Sequence, residues 1–223
     1  MDKLLLWVSV LITLTGAFAQ TDLSGKVLVF PRESSRDHVS LITQLDQPLQ
    51  NFTLCLRAYS DLSRPYSLFS YSTKEKDNEL LIFKVRTGVY NLYIGQSEVT
   101  FNVLEDFPVP VHICASWESA SGIAQFWVNG KPAVKKGLKR GYSVGASPKI
   151  ILGQEQDSYG GGFKKEQSFV GEIGDLYMWD SVLSKDEIQS TYDGFPTSPS
   201  ILNWENLNYE INGYVIIEPL VWK

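Results

Sequence analysis

The sequence predicts an all-β protein, a two-sheet antiparallel jelly-roll sandwich of the lectin-like kind with one short late α-helix. Three observations carry that reading. Short segments rich in β-branched and aromatic residues alternate in polarity, turn residues separate them, and a single capped amphipathic segment comes near the end.

The first nineteen residues follow a secretion pattern instead of a folding pattern. Lys3 opens a charged segment, an apolar run follows over 4–14, and Ala17-Phe18-Ala19 fits the small-x-small cleavage rule. A signal peptide over 1–19 and a mature chain from Gln20 are expected, hence a secreted, extracellular protein. The apolar run is too short to span a bilayer, so no membrane insertion is expected.

The remainder, with 43% hydrophobic and 13% aromatic residues and no low-complexity tract, has the composition of a globular domain and not of a disordered tail. A net charge of −5 disfavours sequence-independent nucleic-acid binding. One basic cluster, Lys135-Lys136-Gly137-Leu138-Lys139-Arg140, runs against that average. It reads as a solvated turn or, more sharply, as a patch for polyanions.

Strands are predicted over 26–30, 52–60, 66–72, 79–85, 90–94, 111–118 and 123–128. Phe52, Leu54, Leu56 and Ala58 share one strand face, and Val111, Ile113, Ala115 and Trp117 share another. Cys55 and Cys114 fall on the opposite faces in the same phase, compatible with a bridge. Two cysteines in a secreted chain imply one disulfide, and a closed loop of about 60 residues adds about 4 kcal/mol in the chain-entropy model. Asn129-Gly130 reads as a type I′ hairpin turn. The helix begins at Ser184 as N-cap with Glu187 closing a capping box, turns Ile188 and Tyr192 inward, and stops at Gly194. The sequon Asn51-Phe52-Thr53 lies just before a strand, where an N-glycan projects into solvent.

Chemistry has to come from sites. There is no G-x-S-x-G, and of the two histidines His112 sits inside a strand beside a cysteine, where a structural role is expected. Glu172 and Asp175 are the best carboxylate pair for a glycoside hydrolase, but three residues apart they face opposite sides of a regular strand unless a bulge at Gly174 intervenes. The stretch GQEQDSYGGGF, residues 153–163, is different. Glu155, Gln156 and Asp157 offer two carboxylates, an amide oxygen and carbonyls, and the glycines let the chain curl so that oxygens converge. Asp77-Asn78 and Gln167 supply further hard oxygens that suit Ca²⁺. A calcium site and a set of solvated turn residues are both open from the residues alone. If calcium binds, residues 154–167 are expected to be mobile without it.

The segment HICASWES, with His112, Cys114, Ser116, Trp117 and Ser119, resembles the pentraxin signature H-x-C-x-S/T-W-x-S/T, and the chain is similar to that family over 21–222. Further stretches, among them FPRES, QNFTLC, AYSDLSR, DNELL and QSFVGEIGDLYMWDSVL, are similar to one member in particular. The resemblance makes 20–223 a pentraxin domain, a flattened jelly roll with a Cys55–Cys114 bridge and two Ca²⁺ per subunit on one face. By position it assigns Asp77, Asn78, Glu155, Gln156 through its carbonyl, and Asp157 to the first ion, and Glu155, Asp157 and Gln167 to the second. Leu81, Phe83 and Tyr93 line an adjoining hydrophobic pocket, with Phe83 standing where the resemblance leads one to expect a tyrosine.

The implied protein is no enzyme but a calcium-dependent pattern-recognition lectin of innate immunity, a cyclic homopentamer that can stack as a decamer. Its implied partners are anionic small molecules such as phosphoethanolamine head groups, carboxylated or sulfated glycans, amyloid fibrils, chromatin or DNA, and microbial surfaces. The competing readings are a glycoside hydrolase on a similar sandwich and a laminin-G-like adhesion module.

Overall fold

The computed structural model describes residues 22–222; the expected signal peptide over 1–19 lies outside the described residues. In chain order come β1 (Lys26–Phe30), β2 (His38–Leu41), β3 (Asn51–Tyr59), β4 (Tyr66–Ser72), β5 (Leu80–Arg86) and β6 (Val89–Ile94). Then follow β7 (Ser97–Asn102), β8 (Val111–Glu118), β9 (Ile123–Val128), β10 (Lys131–Pro132), β11 (Lys136–Gly137) and β12 (Lys149–Leu152). The chain closes with β13 (Gly171–Trp179), α1 (Lys185–Tyr192), β14 (Leu202–Asn203), β15 (Tyr209–Asn212) and β16 (Ile216–Pro219).

Two antiparallel sheets result. One runs β10-β9-β8-β3-β13-β1-β16, with β11 on β9 and β14 on β13; the other runs β15-β2-β12-β4-β5-β6-β7. The core lies between them. Phe52, Leu54 and Leu56 of β3 and Ile113, Ala115 and Trp117 of β8 join Leu80 and Ile82 of β5 and Leu92 and Ile94 of β6 in one buried cluster. Those strands alternate so that every second residue reaches the core, which is why the sequence pattern locates them. Trp117 fills the interior and donates its indole N–H to the Leu138 carbonyl at 2.8 Å.

Cys55 and Cys114 are register partners on β3 and β8 and are bridged. Their face of the first sheet is covered, not solvated, because the segment leading into α1 lies across it. Thr53 donates to the Ser181 carbonyl at 2.7 Å and accepts from Leu183 N at 2.9 Å. The helix has the expected capping box: Ser184 accepts from Glu187 N and donates its own N–H to the Glu187 carboxylate at 2.7 Å. Ile188 is buried, Tyr192 packs on Arg57 and His112, and Gly194 follows the C-cap at φ 91°. The Asn129-Gly130 turn takes φ values of 50° and 72° between paired Val128 and Lys131, as a type I′ hairpin requires.

The cluster 135–140 is more structured than a solvated turn. Residues Lys136–Gly137 pair with β9, Leu138 is buried, Lys139 lies over the Tyr142 ring, and Arg140 donates to the Ala120 carbonyl. Asn51 is the first residue of β3 and half-buried, one position further into the strand than the sequence suggests. No helix of the described residues is long and apolar enough to cross a membrane.

Candidate metal centre

The outer face of the second sheet is where the polar loop comes to rest. On β4, Phe69 and Tyr71 point into the core, so Ser70 and Ser72 point outward. All seven residues of β4 are nevertheless buried, because the chain leaving β12 folds back over them. That return starts at Gly153, φ 90°, where an added Cβ would lie 2.3 Å from the Phe30 ring; only glycine fits there.

Gln156 pins the loop to the sheet. Its amide nitrogen donates to Ser70 O, Ser70 Oγ and Lys149 O at 3.0–3.1 Å, while its amide oxygen accepts from Ser72 Oγ at 3.0 Å and Gly160 N at 2.9 Å. The side chain is saturated by these bonds. Any ligand role left to Gln156 therefore belongs to its main-chain carbonyl.

Glu155, only 3% exposed, sits beside this anchor with its Oε2 buried and without a hydrogen-bond partner. Burial foremost, and then the Asp157 charge, push its carboxyl up to about 6, with Asn78 and Lys164 pulling the other way and Asp77 adding to the rise. Those mutual influences place Asp77, Asn78, Glu155 and Asp157 in one electrostatic neighbourhood. Asp157 is exposed and pairs with Lys164 Nζ at 2.8 Å.

The β4–β5 connection presents Asp77 and Asn78 under tight control. Asp77 Oδ1 accepts from Asn78 N and Gln96 Nε2, each at 2.9 Å, and Gln96 N donates to the Asn78 carbonyl at 2.9 Å. Next along, the Glu79 carboxylate is buried and accepts from Tyr142 OH at 2.8 Å to both oxygens and from Gly145 N. Asn78 Oδ1 is left buried with no partner, as is Gln167 Oε1 in the one-turn 3₁₀ segment Lys165–Gln167.

Three side-chain oxygens, Asn78 Oδ1, Glu155 Oε2 and Gln167 Oε1, are thus dry and unpartnered on three separate segments. Leaving a buried acceptor unpaired costs about 1–3 kcal/mol each, more for a charged one. A hard dication that takes six to eight oxygens is the partner this donor set suits. No hydrogen bond ties Gln167 directly to Glu155 or Asp157 among the described residues; its orphaned oxygen is what marks it.

The three residues expected to line an apolar pocket lie on the same outward face. Leu81 pairs in register with Ser70 and Tyr93, and Phe83 with Asn91; none of Leu81, Phe83 and Tyr93 belongs to the sandwich core.

Other candidates are spoken for. Cys55, His112 and Cys114 bring potential ligand atoms within 4.8 Å of one another, but the thiolates are consumed by the bridge. Burial, with Arg57 nearby, lowers the His112 pKa to about 3 and keeps the ring neutral. A bulge does occur between Gly174 and Tyr177, with Asp175 at φ 47°. It does not assemble a carboxylate pair, because Asp175 is held by Arg57 Nε at 3.0 Å and Glu172 by the Trp222 indole.

Sequence reasoning missed Ser70, Ser72, Glu79, Gln96 and Tyr142, which hold the ligating segments in place. Their contacts join residues 18 to 86 positions apart. No local motif could have signalled them.

A family model described as the pentaxin family matches residues 26–219. Serum amyloid P-component of Sus scrofa is 70% identical over 225 residues, and that of Homo sapiens 69% over 222, each with 100% of both chains covered. These are the proteins toward which stretches such as FPRES and QNFTLC point. A solved heptameric SAP-like pentraxin from Limulus polyphemus is similar with a TM-score of 0.80 at 23% identity, over 89% of this chain and 97% of that one. Domains LG4-5 of the mouse laminin alpha1 chain reach 0.55 at 14% identity, over 86% of this chain and 48% of that one. Both structural likenesses speak to fold alone.

Proposed function

The chain belongs to the pentaxin (pentraxin) family, and from that premise we propose that it is a secreted lectin of pattern recognition whose ligand face is built on two calcium ions. Asp77, Asn78, Glu155, the Gln156 carbonyl and Asp157 would hold the first ion; Glu155, Asp157 and Gln167 would hold the second. The observation that carries this reading is the set of orphaned oxygens on Asn78, Glu155 and Gln167. Bound calcium would supply a Lewis-acidic, electropositive surface for an oxygen ligand.

This chain's residues set what that ligand must be. Three carboxylates, Asp77, Glu155 and Asp157, leave one formal positive charge uncompensated against two dications, and the protein oxygens named do not fill two coordination shells. An anionic oxygen is therefore favoured: phosphoethanolamine-type head groups, carboxylated or sulfated glycans, and, through repetitive presentation of such groups, amyloid fibrils, chromatin or DNA and microbial surfaces. Leu81, Phe83 and Tyr93 offer an apolar shelf beside it. With phenylalanine at 83 the shelf presents no phenol there. No bond is broken in this scheme. The glycoside hydrolase reading loses its carboxylate pair to Arg57 and Trp222, and the laminin-like reading has fold likeness only.

Asn51 would carry an N-glycan and the signal peptide over 1–19 would direct export. The decisive experiment is retention on a phosphoethanolamine-coated support. Binding is expected in millimolar calcium with release by chelator, and loss in Glu155→Gln and Asp157→Asn, which keep side-chain volume while removing a charge shared by both ions. Retention of Glu155→Gln equal to wild type would remove this site from the function.

A further inference from the structure

Gln167 is the one ligand assigned to the second ion alone, and its segment has little to hold it. It belongs to a single 3₁₀ turn, Lys165–Gln167, with no buried residue and no side-chain cap at Lys164. Two local backbone bonds close the turn, Gln167 N to Lys164 O at 3.0 Å and Ser168 N to Lys165 O at 3.1 Å. A turn so short does not fix where a side chain points.

The grip comes from a hundred residues away. Arg64, in the connection before β4, donates from one guanidinium nitrogen, Nη1, to the Ser168 carbonyl at 2.7 Å and the Glu166 carbonyl at 3.2 Å, the peptide oxygens on either side of Gln167. The same nitrogen reaches the Pro65 carbonyl at 3.0 Å, and Nε is held by Glu33 Oε1 at 2.7 Å, so the guanidinium plane is fixed from its other edge. The Ser168 hydroxyl donates to Lys165 O and accepts from Ser34 N at 3.3 Å. Beyond it, Phe169 is buried against Phe30 and Tyr66. Gln167 thus stands between an arginine clamp and an aromatic anchor, its Oε1 buried and unpaired.

We propose that Arg64 is the positioning residue of the second calcium ion: by holding the Glu166 and Ser168 carbonyls it aims Gln167 Oε1, and Glu33 in turn holds Arg64. The inference rests on the calcium reading above and goes beyond it in giving the two ions separate supports. The Asp77-Asn78 segment depends on Glu79, Tyr142 and Gln96, and among the described residues no hydrogen bond joins it to this clamp. A planar fork that donates in several directions at once is a task for arginine, which lysine cannot replace.

The test is a calorimetric calcium titration of the full mature protein, with melting in chelator measured alongside. Wild type should take up two ions per chain. Arg64→Gln and Arg64→Lys should weaken one of them by about ten- to a hundredfold, the usual effect of losing an outer-shell partner, and leave the other within a factor of two. Glu33→Gln, at a half-exposed site, should weaken the same ion by less. Melting in chelator should be nearly unchanged for Arg64→Lys and Glu33→Gln, which separates aiming from general destabilisation. Equal weakening of both ions, or of neither, in Glu33→Gln and Arg64→Lys would overturn the clamp while leaving the calcium reading in place. A wild type that takes up fewer than two ions would overturn the calcium reading, and the clamp with it.

Discussion

At Glu155 the fold sets burial against charge. In the calcium-free fold its carboxyl titrates near 6 against an ordinary 4.5, burial being the main cause. Above pH 6 the folded chain carries a buried charge that the unfolded chain carries in water, a penalty of about 2 kcal/mol. As the pH falls through 6 toward 4.5 that penalty disappears. His112 acts with the opposite sign: it is held neutral with a pKa near 3, so its contribution is intact above 6.5 and is lost progressively below, where the unfolded chain takes up the proton. The two trends offset each other in wild type, so the informative quantity is the difference from Glu155→Gln. In chelator at pH 7.5 the Gln variant should melt a few degrees above wild type, and the gap should narrow as the pH falls through 6 and close near pH 4. In millimolar calcium at pH 7.5 the order should reverse, since the charge that costs stability alone is the one the ions need. A gap that does not change with pH in chelator would show that Glu155 is not buried as a charge. GQEQD shows two carboxylates beside a glycine run, which by residue type alone leaves a calcium site and a solvated turn equally open; the burial of Glu155 beside β4 is what the sequence does not show. Gln156 was legible only by residue type. That its side chain serves the sheet and not an ion depends on Ser70 and Ser72, 86 and 84 residues earlier.

Elements show the same division. The segments 26–30, 66–72, 111–118 and 123–128 coincide with β1, β4, β8 and β9, and three others shift by a residue, because alternating polarity reports a strand with one face in a core. The missed strands give weaker signals: β2 and β12 have four residues each, and β7 is a polar edge strand. The loop departs from expectation in a more useful way. Sequence alone makes all of 154–167 mobile without calcium, yet its first residues are among the most buried in the chain. Gln154 donates to Ser34 O and Asp37 O at 2.7 and 2.9 Å, and Gln156 is saturated by β4 and β12. The stretch 157–165, between these anchors and the Arg64 clamp on Glu166, is the more exposed part of the loop, and it carries exposed Lys164 and Lys165. Trypsin in chelator should cut after one of these lysines, and millimolar calcium should protect them. A glutamate-specific protease should spare Glu155 in both conditions. Early cleavage at Glu155 in chelator would show that the Gln154 and Gln156 anchors do not hold without the ions.

For the whole molecule, what matters is how weakly one site alone would bind. Extracellular calcium modules hold their ions with dissociation constants around 10⁻⁴ to 10⁻³ M, and a shallow site on the outside of a sheet has little room to enclose a head group. A single subunit would bind such a ligand only transiently. Several subunits fixed with their outer faces on one side gain orders of magnitude on a repetitive surface without any new contact. A closed ring of head-to-tail interfaces delivers that arrangement, since every copy is related by the same rotation and no surface is left to propagate into a filament. Periodicity in one chain carries no trace of this. The fold does not dictate the copy number either, for the Limulus relative shares it as a heptamer. Family membership leads us to expect five subunits, or ten if two rings stack. Light scattering on the purified protein should therefore give five or ten times the subunit mass in millimolar calcium. The ring should persist in chelator, because the proposed calcium ligands are placed on the outer face of one sheet, whereas a stacked form that uses that face should fall to five. A monomer at micromolar concentration in both conditions would sink the avidity argument, and each site would then have to be tight enough to act alone.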